Sequence, residues 1–161
     1  MFMVGKVDKN GDFQVIAVRG IVINSKNELL VVSENDDRWH LPGGWVEIRE
    51  NALPACEREV HEEVGMVVKA EKIVYVSEYL QKPYKQFTEF VQKFDLYCVC
   101  KIIGDENINH DWKDPDNNLI QHRKFISNDE WKNGCNMFGP KELRQINLID
   151  IQKMISCYTK L

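Results

Sequence analysis

The chain has 161 residues, 43% of them apolar and 10% aromatic, enough for one domain (1–161) with a buried core. Its net charge of −4 is spread over interleaved acidic and basic residues, which excludes a nucleic-acid-coating surface and a polybasic membrane patch. Met1–Asn10 has no apolar signal core, no stretch has the length of a membrane span, and Cys56, Cys98, Cys100, Cys135 and Cys157 are odd in number, so a cytoplasmic protein with reduced thiols is expected.

In chain order, Gln14–Asn24 is rich in Val and Ile, Ser25-Lys26-Asn27 turns, and Glu28–Ser33 follows, a strand–turn–strand signal. Leu41-Pro42-Gly43-Gly44 interrupts regular structure, and Trp45–Glu47 is read as a short strand. Asn51 as N-cap, Pro54 in the first turn and Gly65 as C-cap frame a helix over Ala52–Val64. Val67–Leu80 and Phe87–Ile103 read as long antiparallel strands joined near Lys82-Pro83. Gly104–Asn118 is a polar loop long enough to suggest a lid or binding loop. Leu119–Ser127 is a further strand, with a turn of helix at Asn128–Trp131. From Pro140 to about Tyr158, Leu143, Ile146, Ile149, Met154 and Ile155 recur at helical spacing, so a C-terminal helix (about 140–158) is expected, closing the core or, alternatively, meeting a homodimer partner. Strands dominate, with a central and a terminal helix, which is the mixture of an α+β fold.

On the central helix, Leu53, Cys56, Val60 and Val64 share one arc and Glu59, Glu62 and Glu63 another. Like charges at this spacing repel by a few tenths of a kcal/mol per pair, roughly. A solvated face tolerates that repulsion; a hard divalent cation offsets it, because Mg²⁺ takes carboxylate oxygens and leaves positions open for phosphates. Arg58 stands next to the acidic arc, where it can pair with Glu50 or an acidic neighbour. Gly43-Gly44 lets backbone approach a metal or phosphate with no Cβ in the way.

The full spacing decides between the two readings. From Gly44 the chain runs through five residues to Glu50, seven more to Arg58-Glu59-Val60, one to Glu62-Glu63 and one to Gly65-Met66. Random agreement at all these positions is on the order of one in ten million. Residues 44–66 resemble the Nudix box at every fixed position, and Trp39 with Leu41-Pro42-Gly43-Gly44 resembles the usual entry to it. The resemblance implies a Nudix fold, an α/β/α sandwich with a mixed sheet, and a Nudix hydrolase acting on phosphorus-containing acid anhydrides. Its substrate would be a small-molecule nucleoside diphosphate linked to another moiety, of ADP-ribose or nucleotide-sugar type ahead of nucleoside triphosphates, with Mg²⁺ or Mn²⁺ as cofactor. A Nudix-fold sensor that binds a nucleotide without cleaving it is the alternative; its degraded box is absent here. By position, Glu59 and Glu63 would be metal ligands, Glu62 a further ligand or the base that orients water, and Arg58 with Glu50 the supporting ion pair. A backbone carbonyl at Gly44 would complete the metal shell.

Several members of that family recruit a base from outside the box. Asp105, Glu106, Asp111, Asp114 and Asp116 are candidates on the long loop, each with a solvated role as the alternative; amides stand at Asn117-Asn118, just before the next strand. Cys98 and Cys100 alternate on one strand with Phe94, Leu96 and Ile102, which reads as core packing, and Cys135, His110 and His122 complete no zinc spacing. Trp39, Trp45, Tyr84, Phe87 and Trp112 offer a stacking partner for a base, with packing the competing role. Lys82, Lys85 and Lys101 carry no weight as phosphate contacts, and His61 lies off both helix arcs.

Overall fold

The computed structural model describes residues 12–35, 37–81, 90–115, 120–134 and 136–156. The expected junction near Lys82-Pro83, the candidates Tyr84, Phe87, Lys85 and Asp116, and both Cys135 and Cys157 lie outside these segments.

Strands β1 (Phe13–Val22), β2 (Leu29–Ser33) and β3 (Trp39–His40) precede helix α1 (Ala52–Val64). Strands β4 (Val68–Gln81), β5 (Val91–Ile102) and β6 (His122–Ile126) follow, then α2 (Asn128–Asn133), β7 (Met137–Phe138), α3 (Lys141–Arg144) and α4 (Leu148–Ser156). Two mixed sheets form. One has the order β1-β5-β4, with β1 parallel and β4 antiparallel to β5; the other has the order β6-β2-β3-β7, with only β3 and β7 parallel. Among the described residues no helix is long and apolar enough to cross a membrane.

Strand β2 and the C-terminal half of β1 are buried on both faces, which explains their nearly continuous apolar runs. Val18, Val22, Leu30, Val32, Cys98 and Cys100 face α1 and its Ala55, Cys56, Val60 and Val64. The alternate residues Ile21, Leu29, Val31, Tyr97 and Val99 face the other way, onto Trp131, Leu143, Leu148 and Ile151 of α2 to α4. Helix, strand and helix layers are thereby stacked, as the resemblance to the Nudix fold implies, within the α+β mixture of elements. Cys98 and Cys100 are core residues, with Cys56 Sγ 3.6 Å from Cys100 Sγ.

The expected strand–turn–strand unit is present as β1, a turn and β2, joined by the isolated bridge between Ile23 and Leu29, and the two strands then run in different sheets. Two expectations are corrected. Trp45–Glu47 forms no strand: Trp45 makes an isolated bridge to Ala17, and Val46 N–H bonds Ile16 carbonyl, so this segment lines the edge of β1. The C-terminal helix is broken at 145–147. Asn128 Oδ1 accepts the Leu148 N–H at 3.1 Å, satisfying an orphan donor at the start of α4, and the restart turns Leu148 and Ile151 inward while Ile149 is exposed.

Candidate active site

Helix α1 begins and ends where its punctuation indicates. Asn51 has extended backbone at the N-cap but makes no side-chain capping bond. Gly65, at φ 75°, ends the helix in the left-handed region and donates its N–H to His61 carbonyl. The entry loop is set by its glycines. Gly43 lies at φ 149°, where a Cβ would come within 2.0 Å of Val18 carbonyl oxygen. At Gly44 a Cβ would come within 2.5 Å of Glu59 Oε2, so a larger residue would displace that carboxylate.

The acidic arc is not a solvated face. Glu59 and Glu63 are 7% and 6% exposed, and Glu62 is half-buried. Arg58 joins most of the group: it grips Glu50 through two bonds of 2.9 Å, donates to Glu59 Oε1 at 2.9 Å and Glu62 Oε2 at 2.8 Å, and reaches Trp45 carbonyl at 3.1 Å. Such a guanidinium stays protonated, and its grip holds the Glu50 carboxyl below the usual range. Glu63 turns away from Arg58 and accepts the Gly43 N–H at 2.9 Å.

Burial dominates the electrostatics of the two inner carboxyls. It pushes Glu59 up to about 7 against the pull of Arg58, and Glu63 up to about 8 against the Gly43 N–H and the field of Arg19. Two buried acids that resist ionisation create a demand for positive charge, and their donor set is hard oxygen. Among the described residues no three acidic, imidazole or thiol groups converge closely enough to enclose an ion alone. A cation that keeps several positions for water and phosphate fits this arrangement better than one needing a complete protein cage. Gly44 carbonyl accepts the Val18 N–H at 2.9 Å, and its second lone pair is compatible with a further ligand role.

The loop acids separate by position. Glu106 bonds Ser25 through its backbone N–H and hydroxyl, Asp105 caps Asn107, and Asp111 is exposed. Asp114 is half-buried and close enough to raise the Glu63 pKa and to oppose the lowering of Arg123. Of the aromatic candidates, Trp39 lies under Lys124 Nζ (4.4 Å), Trp45 packs against Phe13, Val15 and Val91, and Trp112 covers the end of α1. His61 is exposed, with its ring 5.2 Å from that of Trp112. Lys101 is exposed.

Gly43, Gly44 and Glu63 open into a cleft of about 1160 Å³. Arg19 lies at its floor, donating to Gly43 carbonyl at 3.0 Å and pairing with the buried Asp95 at 3.5 Å. The far wall carries Phe138, 46% exposed, with the Arg38 guanidinium 4.1 Å above its ring. Arg144 fixes the backbone behind that wall by bonding the carbonyls of Trp131, Lys132, Gly134 and Met137. Sequence reading missed Arg19, Phe138, Arg123 and Arg144 as contributors. The parity of Arg19 beside the inward Val18 was a weak signal; the others depend on contacts across distant segments.

A loop of two glycines, a helix with buried acids and a guanidinium bridge reproduce the arrangement that residues 44–66 imply, and residues 14–143 match the NUDIX domain model: the chain belongs to the Nudix family. An RNA pyrophosphohydrolase of Haemophilus influenzae is 33% identical over 103 residues, covering 56% of this chain and 52% of that protein. An 8-oxo-dGDP phosphatase of Danio rerio is 43% identical over 53 residues, 30% of this chain and 16% of the relative. The chain thus spans about half the length of these curated relatives, or less. The crystal structure of an ADP-ribose pyrophosphatase from Streptococcus suis shares the fold, with a TM-score of 0.52 and 19% identity over 91% of this chain and 92% of that one.

Proposed function

We propose that this protein is a divalent-metal-dependent pyrophosphohydrolase that cleaves the diphosphate bond of a nucleoside diphosphate linked to a second moiety, of the ADP-ribose or nucleotide-sugar class. The observation that carries this reading is the buried pair Glu59 and Glu63 beside the glycine loop, both resisting ionisation although Arg58 and Gly43 N–H stabilise their charged forms. Glu59 and Glu63, with Glu62 and Gly44 carbonyl in reach, are the residues that would hold Mg²⁺ or Mn²⁺. A cation there supplies charge neutralisation for the diphosphate and acidifies water.

The chain's own groups do the rest. Arg58, anchored by Glu50, keeps Glu59 and Glu62 at fixed separation, so the acids are oriented before substrate arrives. Glu62 is the most exposed of the three and takes the proton of the attacking water in this reading. The cleft extends beyond the glycine loop to Phe138 and exceeds a typical small-ligand pocket of roughly 300–1,000 Å³, which supports a substrate with groups on both sides of the diphosphate.

A product-release assay with Mg²⁺ or Mn²⁺ over a panel of ADP-ribose, nucleotide sugars and nucleoside triphosphates tests this. The expected result is metal-dependent release of a nucleoside monophosphate from an X-linked diphosphate, lowered at least about a hundredfold by Glu59→Gln and by Glu63→Gln. Binding without release of product across the panel would contradict it and identify a sensor instead.

A further inference from the structure

The long connection between β5 and β6 returns to the box helix at its last turn. An α-helix leaves its final carbonyls without intrahelical partners. Here three are satisfied in sequence. Gly65 N–H bonds His61 carbonyl at 2.7 Å, Trp112 Nε1 bonds Glu62 carbonyl at 2.9 Å, and Arg123 Nε bonds Glu63 carbonyl at 2.5 Å. The second and third donors come from outside the box, one on the long loop and one on β6.

Trp112 is fitted to this place by more than one contact. Its ring lies so close to Gly65 that a Cβ there would approach Cδ2 within 2.5 Å, and it tilts against His61. Its own backbone closes a turn on Asn109, whose side chain accepts the Asp111 N–H. Arg123 is 6% exposed and also bonds Ile120 carbonyl. Glu63 is therefore held at both ends, its carbonyl by Arg123 and its carboxylate by Gly43 N–H.

We propose that Trp112 and Arg123 are positioning residues that fix the last turn of α1, and with it the Glu62 and Glu63 carboxylates, for the metal and substrate. The proposal rests on the metal role given to those glutamates above. Partners that orient a metal ligand cost about 10–100-fold in affinity or activity when removed. Trp112→Phe keeps an aromatic ring beside Gly65 while removing the indole N–H and part of the fused ring; Arg123→Met removes the other donor, and Arg123→Lys restores one charged donor.

The experiment measures Mn²⁺ affinity by electron paramagnetic resonance on the full chain without nucleotide, alongside thermal melting. Glu63→Gln serves as the reference. The expected result is about tenfold weaker Mn²⁺ binding for Trp112→Phe and Arg123→Met, with partial recovery in Arg123→Lys and a folded melt for Trp112→Phe. If Glu63→Gln weakens binding while Trp112→Phe binds Mn²⁺ like the parent, the clamp is refuted and the metal site stands. If Glu63→Gln itself binds like the parent, the metal reading fails first. Should Arg123→Met not fold, Trp112→Phe alone decides.

Discussion

Glu59 and Glu63 are acids held in a place that disfavours their charge, which has a measurable consequence for the metal-free protein. Their folded pKa values, about 7 and about 8, lie above the ordinary carboxyl value of 4.5. Between these limits the folded chain holds protons that the unfolded chain has released, so their contribution to stability is fully present below about pH 4.5 and is lost as pH rises through 7 and 8. The melting temperature in chelator should therefore fall as pH rises from about 4.5 to about 8, and saturating Mg²⁺ or Mn²⁺ should remove most of that fall; a flat profile in chelator would show that the two acids are not desolvated. At this scale the box residues were legible because their spacing is local. Arg19, Arg123 and Arg144 were not, because their partners include carbonyls 24, 60 and 10 residues away, with no periodic sign.

Helix α1 was readable as an element because cap, periodicity and C-terminal glycine agree over one short stretch. What lies on its end was not. Gly65 has two requirements, a left-handed φ and space for the Trp112 ring, and alanine meets neither. Gly65→Ala should lower stability by about 2 kcal/mol or more, measured by denaturant unfolding, combining the left-handed penalty with the steric one; a change below a few tenths would mean that Trp112 does not rest there. The C-terminal segment misled for the opposite reason. Leu143 and Ile146 fit one helix, and the restart at Leu148 depends on Asn128, from another element, which no helical period reveals. The β1–β2 turn was real but short, since β1 finds its partner in β5, some 78 residues ahead. Parallel pairing at that distance leaves no trace in local sequence.

For the molecule as a whole, the two sheets splay after Ile23 and Leu29, and the cleft opens alongside the glycine loop. The α+β mixture was legible from the strands and helices, and the layering came from the resemblance of residues 44–66; the far wall was not legible, because Phe138 reaches the cleft through the β3–β7 pairing, opposite His40. Phe138, exposed beneath Arg38 and backed by Arg144, is suited to receive a base, so Phe138→Ala should raise KM for the nucleotide about tenfold with little change in kcat, a stacking loss within the usual range. An unchanged KM in steady-state assays would assign the base to another wall. Anomalous diffraction at the manganese edge, from crystals soaked in Mn²⁺ with a nucleoside diphosphate, is the most direct test of the central claim. The expected result is a peak bonded to carboxylate oxygens of Glu59 and Glu63 and to the diphosphate. Strong peaks elsewhere, with those two side chains still held by Arg58 and Gly43 alone, would contradict it.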